Sequence, residues 1–203
     1  MRDRIAAKRT GEQDGRGAMA VEVLRAADRA AVPWLNGGGV TREVAAGPAG
    51  AGMTDFAWRV SLADVARGGP FSVFADTDRV ITLVEGAGMT LTVAGAEQAL
   101  TEPFRPFAFP GDADTDCRLE GGPVVDFNVM TRRGRASAQV EIADAPRPVR
   151  APEDGVLLVV CLAGTAALAS AGYDLDRYDA VLLHHGGDLL QVDGAAAVVT
   201  IRR

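Results

Sequence analysis

The chain has 203 residues, 48% of them hydrophobic, enough for one large β domain or for two small halves sharing a core. Lys and Arg number 21 against 27 Asp and Glu, a formal charge of −6 with a pI near 5.0. An acidic chain without a basic stripe excludes a phosphate-tracking nucleic-acid binder, yet one or two buried arginines suffice to hold a small anion.

Residues 1–18 are polar, Gly-rich and charged, lack the apolar centre of a secretory signal, and are expected to be a disordered extension, with Met19 as an alternative start. Glu22 to Ala31, rich in Ala, Leu and Arg and stopped by Pro33, predicts one short helix. After it, turn signals recur about every 8–12 residues between alternating segments, the pattern of a sandwich or barrel. The clearest strand is Phe56 to Leu62, with Phe56, Trp58, Val60 and Leu62 on one face and Arg59 and Ser61 on the other. Val80–Val84 and Met89–Val93 flank Glu85-Gly86-Ala87-Gly88 and read as a hairpin. Phe104 to Phe109 ends in the turn Pro110-Gly111-Asp112, and Val124 to Met130 follows as a strand with Asp126 and Asn128 on one face. Ala143 to Asp154, with Pro146, Pro148 and Pro152, reads as a linker. Beyond it, Val156–Leu162, the turn Ala163-Gly164-Thr165 and the weak strand Ala166–Ala169 come first. Ala180–His184, Leu189–Val192 and Val198–Ile201 complete the chain.

Gly86, Gly111 and Gly121 lie over Gly164, Gly187 and Gly194 at an offset of about 75 residues, too long for a solenoid unit. The shared rhythm of strand, Gly turn and strand predicts a mostly-β bicupin: two tandem double-stranded β-helix (jelly-roll) barrels with few short helices. Residues 19–142 form the N-terminal half and 143–203 the C-terminal half. The N-terminal half places Arg59, Ser61, Asp126 and Asn128 in strands that otherwise look buried, where the C-terminal half offers Ala, Leu and Val. Each polar group buried without a partner costs about 1–3 kcal/mol, so these residues either line a wet, ligand-accepting cavity or face solvent across an open sheet. The second half reads as a structural mate.

Little in the chain supports a catalytic centre. The two histidines, His184 and His185, are adjacent and point to opposite faces of a strand, so no metal is expected, and neither is another cofactor. Cys117 and Cys161 form no CxxC pair, sit in apolar strand-like runs and are expected to be free, buried and structural, which suits a reducing cytoplasm. The longest apolar run, Val156 to Ala163, is far short of the ~20 residues that cross a bilayer, so no membrane partner is expected. Asn36-Gly37-Gly38-Gly39 precedes a strand, Val40–Val44, and is therefore no helix-capped phosphate loop. It combines bare backbone N–H groups with Trp34 and with Arg42, a bidentate carboxylate gripper; as a bland alternative, it is a flexible loop whose Trp34 plugs the core. Arg132 and Arg133 are expected to form surface ion pairs.

The segments PWLNGGGVTREVA (Pro33 to Ala45), FAWRVSLADV (Phe56 to Val65), GPFSVF (Gly69 to Phe74), AFPGD (Ala108 to Asp112) and DFNVMTRRGR (Asp126 to Arg135) resemble the HutD/Ves family. The resemblance implies a bicupin fold, a tie to histidine utilisation, and binding of an acidic intermediate such as formylglutamate or urocanate in a governing rather than catalytic role. It places Trp34, Asn36, Arg42, Arg59, Ser61, Phe109 and Asn128 in the pocket. The sequence departs from the family at Leu35, where relatives commonly carry Lys. The leading expectation is a metal-independent binder of a small carboxylate, with Arg42 and Arg59 as anion anchors and Trp34 and Phe109 as apolar walls. Asn36, Ser61 and Asn128 would orient polar ligand atoms. The alternatives are a metal-free cupin enzyme, an isomerase or hydrolase with Glu85 or Asp126 as general base, and a protein that acts through partner contacts. A homodimer by sheet pairing is compatible with the fold.

Overall fold

The computed structural model describes residues 20–203, so the expectations for 1–18 and Met19 lie outside the described residues. The chain opens with β1 (Ala20–Leu24), a 3-10 turn (Ala26–Asp28) and β2 (Ala31–Pro33), where a helix over 22–31 was expected. Pairing overrides propensity here: β1 lies antiparallel against β16 (Ala180–His185), and β2 against β3 (Gly39–Gly47). Next come β4 (Trp58–Val65), β5 (Gly69–Pro70), β6 (Thr77–Glu85), β7 (Met89–Val93), β8 (Ala96–Leu100), β9 (Pro106–Pro110), β10 (Thr115–Leu119) and β11 (Val124–Arg132). The C-terminal part adds β12 (Ser137–Ala143), β13 (Arg147–Arg150), β14 (Gly155–Leu168), β15 (Tyr173–Leu175) and β17 (Gly187–Arg202).

Three sheets result. One runs β2-β3-β4-β11-β6-β9, a second β5-β10-β7-β8, and the third β1-β16-β14-β17-β12 with β13 and β15 attached. The first two enclose one core, built on Ile81, Leu83, Met89, Leu91 and Phe109. The third curls around another, built on Leu157, Val159, Leu168 and Leu183. Between the outer faces of the first and third sheets lies a third apolar layer, with Trp58, Leu62 and Phe127 meeting Leu158, Val160 and Val199. Strands such as Val156–Leu162 are apolar on both faces because they have a barrel interior on one side and a sister sheet on the other. This is the mostly-β bicupin expected from the duplication.

Three local readings are corrected. Val80–Val84 and Met89–Val93 do not pair; β6 lies between β11 and β9, whereas β7 lies between β10 and β8. The connection through Gly86 and Gly88, both at positive φ, carries the chain from one sheet to the other. The hairpin here is β7–β8, turned by Ala94 and Gly95, both with the positive φ of a type I′ turn. The stretch 143–154 is not a bare linker, because β13 within it pairs with β17. Finally, Ala163-Gly164-Thr165 does not end a strand: β14 continues through an irregularity between Cys161 and Ala163. Gly164 sits at φ 68°, and a Cβ there would stand 1.9 Å from the Asp193 carbonyl oxygen. Gly164→Ala is expected to lower stability by about 2 kcal/mol or more, read as a lower urea midpoint at unchanged m-value.

Candidate functional site

In a sheet, directly opposed residues share a face. The register of the first sheet therefore sorts its polar side chains. Arg59, Met130, Arg79 and Phe109 form one row across four strands, and Glu43, Ser61, Asn128, Ile81 and Phe107 form the next. Thr41, Ala63, Asp126 and Leu83 form a third. Ile81, Leu83, Ala63 and Phe109 belong to the N-terminal core, so these rows face the interior of the N-terminal barrel. Arg42 is opposed to Leu62, on the other face, where it pairs with Asp64.

Of the seven residues expected in the pocket, Arg59, Ser61, Phe109 and Asn128 thus share the interior face. Trp34 packs against the same core while its Nε1 donates to Thr41 Oγ1 at 2.8 Å. Asn36 lies in the exposed β2–β3 turn, where its Oδ1 accepts from the Gly38 N–H at 2.9 Å. Arg42 turns away from the interior altogether. Leu35, the departure from the family, is fully exposed at the tip of that turn.

The residue that sequence reasoning missed is Arg79. It is 7% exposed, and its guanidinium carbon lies 4.9 Å from the Phe71 ring centre, 5.0 Å from Phe109 and 5.9 Å from Phe74. No carboxylate lies within ion-pair distance of it among the described residues, and its Nε has no hydrogen-bond partner. Burial pulls its pKa down to about 10, and nearby Arg59 adds to this while Asp126 opposes it. Stacking on aromatic faces returns some of the lost hydration, roughly 2 kcal/mol for a desolvated cation. Gly111 makes room for the arginine: a Cβ there would press on the Arg79 stem at 3.0 Å. The signal was present in the alternation Thr77, Arg79, Ile81, Leu83, which puts an arginine in phase with two buried aliphatics.

Asp126 is 2% exposed, and its Oδ1 is unpaired, as is Oδ1 of Asn128 in the adjoining row. Burial pushes the Asp126 carboxyl up to about 7; Asp64 adds to the rise, and Arg79 and the Asn128 amide hold it back. Arg59 stands at the edge of the group, its Nε donating to Glu43 Oε2 at 2.7 Å. Arg79 and Arg59 flank Met130 from two sides, about 10 Å apart along the sheet. Across the barrel, Cys117 approaches Met89 at 3.8 Å, and its thiol is pushed up to about 12 by burial and then by Asp126 and Asp116. It is therefore not a thiolate nucleophile. Both cysteines are free and buried.

Elsewhere the chemistry is sparse. Glu85 lies outside the barrel interior, held by Tyr178 and Arg177. His184 and His185 are exposed at the end of β16. Among the described residues no three His, Cys, Asp or Glu side chains are grouped as metal ligands, and no helix is long and apolar enough to cross a membrane. Arg133 binds Asp78 and Asp112 at the surface, as expected, whereas Arg132 donates to the Phe56 and Thr54 carbonyls instead.

The chain is 35% identical over 176 residues to an uncharacterized 21.2 kDa protein of the hutC 3′ region of Pseudomonas putida, covering 85% of this chain and 92% of that one. It is 38% identical over 128 residues to protein Ves of Cronobacter sakazakii, covering 63% and 69%. The solved structure of HutD from Pseudomonas fluorescens SBW25 superposes with a TM-score of 0.80 at 36% identity, covering 91% of this chain and all of that one. Quercetin 2,3-dioxygenase of Acinetobacter baumannii, with a TM-score of 0.62 at 11% identity over 90% and 79% of the two chains, shares the cupin fold alone. The HutD family model matches residues 26–200, which includes every strand that builds the arginine-lined barrel, and the chain belongs to the HutD/Ves family.

Proposed function

We propose that the N-terminal barrel binds a small carboxylate without a metal, with Arg79 as the principal anion anchor and Arg59 as the second. One observation carries this reading: Arg79 is a buried guanidinium, walled by three phenylalanines, with no carboxylate among the described residues paired to it. An unpaired interior cation is costly unless an anion arrives to use its bidentate N–H fork. Ser61 and the unpaired Asn128 Oδ1 add polar groups that orient a ligand, and Phe109 adds a flat wall. The family relation supports an association with histidine utilisation; formylglutamate offers two carboxylates for the two arginines, and urocanate offers one carboxylate and an aromatic ring for the apolar walls. A metal-free enzyme that uses Asp126 as acid or base is the second reading. It rests on the same buried carboxyl, which titrates near neutrality.

Calorimetric titration of EDTA-treated protein with formylglutamate, urocanate and glutamate tests the first reading, and turnover of the same acids tests the second. Saturable binding is expected for at least one acid, weakened roughly tenfold or more by Arg59→Ala. Arg42→Ala, on the opposite face, is expected to leave the affinity within threefold. Loss of binding in Arg42→Ala with retention in Arg59→Ala would contradict the assignment.

A further inference from the structure

Asp126 presents a problem for an anion site. A carboxylate ligand on Arg79 would share a largely apolar barrel interior with a second carboxyl already there, and two negative charges in such surroundings repel strongly. The surroundings offer Asp126 little to keep it ionised. From β6 it feels Arg79, which is too far for an ion pair, while Leu83 opposes it directly. From β4 it meets Ala63 on its own face and the charge of Asp64 from the other face. Asn128 lies two residues along β11, and Thr41 and Glu43 of β3 lie beyond β4, with Glu43 engaged by Arg59. From β10 comes Cys117, a thiol throughout the neutral range. Glu85 faces away, toward Tyr178 and Arg177.

We propose that Asp126 is the proton acceptor of the site: the anion binds only to the form in which Asp126 is a neutral acid, so that binding takes up a proton from solvent wherever the empty site is ionised, approaching one per ligand above neutrality. This rests on the anion-site reading above and goes beyond it, because it turns a passive pocket into one whose occupancy follows both metabolite and proton concentration. The ligand carboxylate takes the field of Arg79, which otherwise partly stabilises the Asp126 anion, and adds a charge of its own. Both effects drive the proton onto Asp126. The unpaired Oδ1 then becomes available either as a hydroxyl donor to the ligand or as an acceptor beside one. Once ligand is bound, the acid stays protonated well above the pH at which the empty site would release its proton.

The test is calorimetric titration with N-formyl-L-glutamate, whose carboxylates stay ionised from pH 6 to 9, a window that ends below the Arg79 value of about 10. Affinity is expected to fall roughly a hundredfold between pH 6 and 9, about tenfold per pH unit above 7. Titrations at pH 7.5 in triethanolamine and in Tris, cationic buffers of different ionisation enthalpy that do not compete for an anion site, are expected to show more than half a proton taken up per ligand. Asp126→Asn is expected to bind with an affinity that varies by less than threefold across the same range. If the variant fails to fold, the buffer comparison on the unaltered protein decides alone. Equal affinity at pH 6 and 9 with no proton uptake overturns the inference and leaves the anion site standing. No binding at either pH overturns both.

Discussion

Arg79→Met is expected to yield a protein that melts about 5 °C higher than the parent and binds formylglutamate more than a hundredfold more weakly. The first half follows from desolvation. A guanidinium that is 7% exposed and has no ion pair among the described residues has given up most of its hydration, and burial already pulls its pKa down to about 10. Replacing buried ion pairs with apolar side chains of similar volume is often neutral or stabilising by about 1–4 kcal/mol, a lone buried guanidinium has no Coulombic partner to lose, and a chain of this size gains roughly 2–4 °C per kcal/mol. Methionine also keeps a favourable sulfur contact with Phe71 and Phe109, which offsets part of the lost cation stacking. The second half follows because methionine offers no donor to an anion. A differential scan and one titration check both halves. A variant that melts lower and binds normally would make Arg79 a structural residue and remove the anchor.

Asp126→Asn is expected to change stability in a pH-dependent way, independently of any ligand. In the folded chain the Asp126 carboxyl is pushed from 3.8 up to about 7, chiefly by burial. Below about pH 3 both folded and unfolded chains hold the proton, and Asp126 contributes its full stability. Between pH 4 and 7 the unfolded chain ionises while the folded one does not, so that contribution is lost as pH rises. Above pH 7 the loss is complete, at roughly 4 kcal/mol for a rise of this size. The asparagine variant cannot ionise and escapes the loss. Its stability relative to the parent is therefore expected to be near zero at pH 3, to reach roughly 1 kcal/mol by pH 4.5 and to grow to roughly 4 kcal/mol by pH 8 in urea unfolding. A difference that stays constant across that range would mean the carboxyl is not held neutral.

Much of this architecture was legible in the chain because alternation is a local property. Trp58, Val60 and Leu62 against Arg59 and Ser61 gave the two faces of β4, and Asp126 with Asn128 gave those of β11. What alternation cannot supply is which strand lies beside which. Arg42 and Arg59 both read as strand arginines, yet the register opposes Arg42 to Leu62 and so sends it to the outer face. The same gap explains the false hairpin at 85–88, since a Gly-rich connection looks alike whether it joins neighbours or crosses between sheets. The helix expected over 22–31 failed for a related reason: Val21 and Val23 pack on the core of the C-terminal sheet, a partner some 160 residues away that no local window contains. Arg79 was missed because a single arginine between aliphatics reads as an edge residue until three phenylalanines from other segments close around it.

The pairing of β1 with β16 has a consequence for how the chain is made. Leu24 is opposed to Ala180, and Ala20 to His185. On the ribosome, Val21 and Val23 emerge early, while the strand that shelters them is translated roughly 10 to 30 s later at ordinary elongation rates. Through that interval the N-terminal barrel has most of its own partners in hand, but the leading strand has none. Closure of the C-terminal sheet is thus the act that gathers β1 and β17 into one layer, and a protein released short of β16 would leave the apolar β1 unpaired.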